Sequence, residues 1–173
     1  MTNIDLTSKY SLISIPASAL IVSLLSFYFA IRSWMETNRP IVVARVTTRG
    51  GGNIMTALDL VVQNVGNRPA KNIRLKVSSK KLNSILIAPR GTPLRTAIEA
   101  CFSEKGLIPI LEHNRSVANS FGVIGGPDST WVVNSKLNVI IWYQGLGWRW
   151  FRNKVPLLIT DDRGFAGSFW SST

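Results

Sequence analysis

From Tyr10 to Ile31 the chain runs 22 residues without a formal charge. At about 1.5 Å of rise per residue such a helix is roughly 33 Å long, and a bilayer's hydrocarbon core is about 30 Å thick. The pattern predicts a transmembrane helix over 10–36, preceded by a short tail, 1–9. A signal peptide would show an apolar region of about 7–15 residues behind a basic start. Here MTNIDLTSKY holds one acid and one base, and the small-x-small site Ala17-Ser18-Ala19 lies inside the apolar run. A buried helix of a soluble domain is the alternative. Tyr10 and Trp34 stand near the two ends, where amphipathic rings favour the headgroup level, with Arg32 and Arg39 beside the second. Pro16 reads as a residue of the first helical turn, where its missing N–H costs nothing.

Past Asn38-Arg39-Pro40 the period changes from that of a helix to that of strands, because the residue before a proline is pushed out of the helical region. IVVARVTT is rich in β-branched residues. Leu58, Leu60 and Val62 alternate with Asp59, Val61 and Gln63. Asn64 to Pro69 carries turn chemistry. Ile73, Leu75 and Val77 then alternate with Arg74, Lys76 and Ser78. One face is apolar and the other wet and basic, as in an antiparallel sheet covered on one side. RSVANSFGVI is a further strand. KLNVIIWYQ and WRWFRNKVPLLIT form a hairpin around Gly145-Leu146-Gly147, with Leu137, Val139, Ile141 and Tyr143 on one face. Trp148 and Trp150 share a face there, and Phe151 points the other way.

One stretch, TPLRTAIEACFSEKG, is helical instead. Thr92 is an N-cap, Pro93 a first helical residue and Gly106 a terminator. Leu94, Ala97, Ile98, Cys101 and Phe102 fall on one face, which predicts a short amphipathic helix over 92–106 covering a sheet edge. Six or seven strands with turns between them predict a β-sandwich over 37–160, followed by an aromatic tail, 161–173.

Charge sharpens the picture. The chain of 173 residues has 20 basic and 9 acidic side chains. Setting aside Lys9, Arg32, Asp5 and Glu36 leaves 18 of the basic and 7 of the acidic residues from Asn38 onward. Such a field attracts anionic lipid headgroups, nucleic acid or an acidic protein face. A membrane tether favours lipid or protein over nucleic acid. The candidate basic surface is Lys71, Arg74, Lys76, Lys80, Lys81, Arg149, Arg152 and Lys154; the alternative is scattered charge that only keeps the domain soluble. Arg32, Arg39, Arg45 and Arg49 follow the span and only Lys9 precedes it. The positive-inside rule then puts the C-terminal domain in the cytoplasm, on a single-pass protein of the inner membrane with its N-terminus outside. A single cysteine, Cys101, allows no internal disulfide, in keeping with a reducing compartment.

Catalytic patterns are missing from the sequence. His113 beside Glu112 is a weak signal for chemistry. Gly50-Gly51-Gly52 lacks the Lys-Ser/Thr of a phosphate loop. No serine sits in a G-x-S-x-G elbow, and no Cys/His cluster has zinc spacing. Asp161-Asp162 is followed by Arg163. The expectation is a protein without catalytic residues, metal, cofactor or small-molecule substrate. Cys101 reads as a small core hydrophobe, since neighbouring Glu99 and Glu104 would not lower a thiol pKa.

Two further features concern partners. In steps of three and four along the span, Pro16, Ala19, Ser23, Ser26, Ala30 and Ser33 fall in one line of small or compact residues. Close approach through small residues and serine hydroxyl bonds holds membrane helices together, so this line predicts a packing seam for another membrane subunit. In the tail, Phe165, Phe169 and Trp170 sit among glycines and serines. They are expected to anchor to a neighbouring subunit or the bilayer surface, the alternative being a tail folded over the sandwich.

Span, NRP, strand, L-x-V-x-N-x-G-x-x-P-A-x-N-I-x-L and a late V-x-I-x-Y hairpin together resemble small bacterial membrane proteins that join one helix to an immunoglobulin-like sandwich of the CARDB kind. The matching residues are Leu60, Val62, Asn64, Gly66, Pro69, Ala70, Asn72, Ile73 and Leu75, with Val139, Ile141 and Tyr143. The resemblance implies a mainly β fold: one transmembrane helix, then an immunoglobulin-like antiparallel β-sandwich with a short helical insertion. It also implies an adhesion-like role and no active site. The expected function is a non-catalytic accessory subunit docked on a larger membrane complex, for which respiratory or photosynthetic assemblies are natural hosts. The alternative is a membrane-tethered adaptor whose basic domain binds an anionic ligand, lipid headgroups or nucleic acid.

Overall fold

The structure is a computed structural model that describes residues 4–51 and 55–160. The chain divides into two units, 1–39 and 40–173.

The first unit is a helix, α1, Ile4–Thr37. It starts inside the stretch read as a tail, so Pro16 lies in the helix interior and not in its first turn. There the ring removes one bond from the helical ladder. The segment Pro16–Thr37, 22 residues of mean hydropathy 1.4, is long and apolar enough to cross a membrane. The helix ends because Asn38 caps it twice. Its backbone N–H donates to the Trp34 carbonyl at 2.9 Å and its side-chain amide to the same oxygen at 3.0 Å. Pro40 then forbids continuation.

The second unit is mainly β. Its strands are β1 (Val42–Gly51), β2 (Thr56–Asn64), β3 (Ala70–Val77), β4 (Ile108–Leu111), β5 (Ser116–Ile124), β6 (Ser135–Gln144) and β7 (Trp150–Ile159). They form two antiparallel sheets, β1-β2-β5 and β4-β3-β6-β7. Burial alternates along β2 as its sequence requires, and Leu58, Leu60 and Val62 face the core. Ile73, Leu75, Leu137, Val139, Ile141 and Leu157 meet them from the second sheet in one apolar cluster. At its centre the Phe121 and Trp131 rings stack at 4.5 Å, and the Trp131 indole N–H donates to the Phe121 carbonyl. Gly122, at φ 91°, makes the close approach possible: a Cβ there would lie 2.8 Å from Thr130.

Two helices connect β3 to β4. The first, α2 (Ser79–Ile85), is an addition to the single helix the sequence predicts here, although Leu82 and Ile85 have the spacing of one buried helical face. The second, α3 (Pro93–Cys101), starts as expected: the Thr92 hydroxyl accepts from the Arg95 N–H at 3.4 Å and Pro93 follows. A separate 3-10 turn, Glu104–Gly106, completes the segment. The buried face differs from the predicted one. Leu94 is 39% exposed and Ala97 faces solvent, while Arg95, Ile98 and Cys101 point inward. The helix is rotated because Arg95 finds acceptors inside. Its guanidinium donates to the Ala88 carbonyl at 2.8 Å, to Glu99 at 2.8 Å and to Asn83. A buried cation with its donors satisfied outweighs the exposure of one leucine.

At the end where the chain enters this unit, Asn64 is fully buried and uses its whole amide. Its oxygen accepts from the N–H groups of Ile41 and Gly66, at 3.2 and 3.0 Å. Its nitrogen donates to the carbonyls of Arg68 and Leu111, at 2.7 and 3.0 Å. The turn chemistry expected of Asn64 and Gly66 is present, and the same residue also joins β1, β2 and β4.

Candidate functional site

The period of two in β3, β6 and β7 puts Leu75, Ile141 and Leu157 inward and their neighbours outward. Cross-strand pairing arranges the outward residues in rows. Arg74 pairs with Trp142, which pairs with Arg152; Lys76 pairs with Ile140, which pairs with Lys154. Lys71, Gln144 and Trp150 form a third row, and Lys136 stands opposite Leu158 at the far end. Lys71 and Arg74 are three apart and in a regular strand would face opposite ways. They share this face because the register shifts between them. Asn72, at φ 51°, supplies the left-handed residue of the bulge, a conformation that asparagine tolerates better than most residues.

The Arg152 guanidinium carbon lies 5.5 Å from the Trp142 ring centroid, a cation–π distance. Arg74 bonds Glu104 at 2.7 Å, while its Nε is buried without a partner among the described residues. Asp59, Glu99, Glu104 and Glu112 each pair with an arginine. Among the described residues no lysine has an ion pair, so the charge of Lys71, Lys76, Lys136 and Lys154 is unneutralised. An exposed sheet face that interleaves cations with two tryptophans can hold an anionic surface and stack against it.

Of the eight basic residues singled out from sequence, Lys71, Arg74, Lys76, Arg152 and Lys154 come together here. Lys80 and Lys81 lie exposed on α2. Arg149 turns toward Phe151, 5.6 Å from its ring. Phe151 points inward as expected and stacks on Tyr143 at 5.5 Å. Trp148 does not share a strand face with Trp150. It lies in a 3-10 turn, Leu146–Trp148, with φ 63°, and is 85% exposed. Lys136 and Trp142 also belong to this face and are not among the residues singled out from sequence; their alternation with Leu137 and Ile141 is the signal that places them there.

Beside Lys71, at the end of this face, is a cleft of about 510 Å³. Arg68, Lys71, Asn72, Gln144, Gly145 and Trp148 line it, with Pro69 and Gly147. The Asn72 amide donates to Gln144 at 2.7 Å across its floor.

On α1, Pro16, Ala19, Ser23, Ser26, Ala30 and Ser33 fall within about 100° of arc at 100° per residue, all exposed. Trp34 is exposed near the helix end, Arg32 reaches the Tyr28 hydroxyl at 3.5 Å, and Arg39 pairs with Glu36 at 3.6 Å. The side chain of Tyr10, and Phe165, Phe169 and Trp170 of the tail, lie outside the described residues.

Cys101 is buried, and burial pushes its thiol up from the ordinary range, partly offset by a hydrogen bond from Asn119 at 3.1 Å. His113 bonds the Gly66 carbonyl at 2.7 Å through Nδ1, a contact between two loops. Among the described residues no three of His, Cys, Asp and Glu gather in metal-binding geometry.

Over residues 11–159 the chain matches the family described as a domain of unknown function, DUF8453, and belongs to it. No curated protein and no solved structure matches the chain.

Proposed function

We propose that this member of the DUF8453 family is a non-catalytic, single-pass membrane protein whose β domain holds its basic–aromatic sheet face against an anionic lipid surface. The observation that carries the reading is the set of rows on β3, β6 and β7, where Lys71, Arg74, Lys76, Arg152 and Lys154 surround Trp142 and Trp150. Unpaired lysines gain about 1 kcal/mol each beside anionic headgroups, and tryptophan is favoured at the same depth. Arg39, Arg45 and Arg49 after the span support a cytoplasmic domain, where the inner leaflet is anionic. The domain is read as an immunoglobulin-like sandwich. Three strands facing four across one core support that, as do the residues that resemble the CARDB kind.

A second reading rests on α1. Its line of small residues from Pro16 to Ser33 runs along one uninterrupted helix. It supports docking to another membrane helix, so that the protein serves as an accessory subunit.

The test uses the full chain in nanodiscs containing brominated phosphatidylcholine. Tryptophan quenching should rise when about a third of the lipid is phosphatidylglycerol and fall back in about 0.5 M salt, where screening is strong. Quenching that ignores both lipid charge and salt would overturn the reading. If an added oligonucleotide displaces the domain from the anionic bilayer at low concentration, nucleic acid is the better partner.

A further inference from the structure

We propose that the cleft beside the β6–β7 turn is a binding site for the phosphate of one anionic glycerophospholipid headgroup, with Trp148 at its rim entering the bilayer interface. The proposal rests on the membrane reading above and adds a specific lipid to it.

Charge is the first argument. Arg68 and Lys71 line the cleft with the amide side chains of Asn72 and Gln144, and among the described residues no acidic one does. A guanidinium, an ammonium and neutral donors are the groups that bind a phosphate monoanion.

Conformation is the second. Gly147 and Trp148 are consecutive left-handed residues, with φ 66° and 63°. Glycine adopts this freely, but for a bulky aromatic residue it is an outlier. The turn therefore holds its largest side chain outward at a conformational cost, and leaves it 85% exposed. Water gives no return for either cost. An interface does, because an indole is at home among headgroups. Strain kept at an exposed aromatic residue points to a ligand for that residue.

Tether length is the third. A Cβ on Gly145 would come within 3.0 Å of Pro40 Cγ, so the turn packs where the chain enters the domain. Pro40 is three residues beyond Thr37, the last residue of the apolar helix, and three residues of extended chain reach about 11 Å. If α1 crosses a bilayer, headgroups lie within reach of this end of the domain.

The test is native mass spectrometry of the full chain in dodecyl maltoside, titrated with palmitoyl-oleoyl phosphatidylglycerol. One tightly held lipid is expected, and phosphatidylcholine should bind less. Lys71→Gln with Trp148→Gly should weaken it about tenfold or more, the loss expected for a charged hydrogen bond. Glycine at 148 keeps the turn's backbone, and circular dichroism of the variant checks the fold. Arg152→Gln with Lys154→Gln should leave the single adduct in place while removing the salt-sensitive quenching in nanodiscs. No adduct on the wild-type chain, or one that survives in the cleft variant, would overturn the lipid site without touching the sheet-face reading. Displacement by millimolar inorganic phosphate as readily as by lipid would assign the cleft to free phosphate and overturn the headgroup.

Discussion

Arg152 stands directly opposite Trp142 in the β6–β7 ladder, its guanidinium carbon 5.5 Å from the indole centroid. The arrangement holds a cation flat on the sheet instead of extended into water. It also leaves Trp142 and Trp150 among positive charges, where an incoming anion meets charge and ring together. Neither residue contributes to the core, so the proposed lipid contact and the folding of the domain fall on opposite faces of the same strands.

Folding depends sharply on Asn64. Replacing it by alanine removes four hydrogen bonds and strands their partners, buried at Gly66 and Leu111 and half-buried at Ile41 and Arg68. Asn64→Ala is expected to lower stability by about 3 kcal/mol or more, read as a fall in the midpoint of chemical unfolding of the full chain in detergent. A loss below about 1 kcal/mol, the worth of a single ordinary hydrogen bond, would mean that water replaces the amide.

Arg95 is the second sensitive position. Arg95→Met keeps an apolar stem but leaves the Ala88 carbonyl and Asn83 without their donor. It should cost about 2 kcal/mol. Glu99→Gln should cost under about 1 kcal/mol, because that carboxylate is half exposed and the amide oxygen of glutamine can still accept from the buried Arg95 guanidinium. Equal losses in the two variants would show that the ion pair matters more than the buried carbonyl.

Cys101 should react slowly. Burial holds its thiol above the ordinary range, so at pH 8 it stays protonated while an exposed thiol begins to ionise. The folded state then binds a proton that the unfolded state releases. The thiol's contribution to stability is therefore complete below the ordinary thiol pKa and is lost as pH rises past it. Iodoacetamide should label the unfolded chain at pH 8 and leave the native chain almost unlabelled. Rapid labelling of native protein would mean that α3 opens readily.

Along α1, Ser23→Leu with Ser26→Leu should release any helix partner without changing the unfolding of the β domain, since bulk there separates helix backbones. Leu24 and Leu25 replaced by other large apolar residues should have little effect. Cross-linking yield in membranes distinguishes the two pairs, and identical behaviour would remove the seam from the account.

Much of the fold was legible because single residues stated it. Leu58, Leu60 and Val62 alternate without interruption, as do Leu137, Val139, Ile141 and Tyr143, and each set proved to be an inner face. Thr92 and Pro93 located the start of α3. What stayed hidden depended on contacts distant in sequence. The face of α3 is set by Arg95 reaching Ala88 and Asn83, which no helical wheel records. The grouping of Lys71 with Arg74 depends on one left-handed residue, Asn72, that reverses strand parity. Regular alternation with Trp150 reads as a strand position for Trp148, and only the turn's backbone sets it apart. The basic face could be read in part: Arg74, Lys76, Arg152 and Lys154 obey the period, and their pairing across β6 required the register.

The central claim is that the sheet face, and not the net charge of the domain, engages the anionic surface. Two variants with the same change in charge decide it: Arg152→Glu with Lys154→Glu on the face, and Lys80→Glu with Lys81→Glu on α2. All four side chains are exposed, so both variants should fold normally. The measurement is tryptophan quenching by brominated lipid for the full chain in phosphatidylglycerol nanodiscs, at low and high salt. We expect the face variant to lose the charge-dependent quenching and its salt response, and the α2 variant to retain most of both. Equal loss in the two variants would contradict the account, because net charge alone would then explain the attraction.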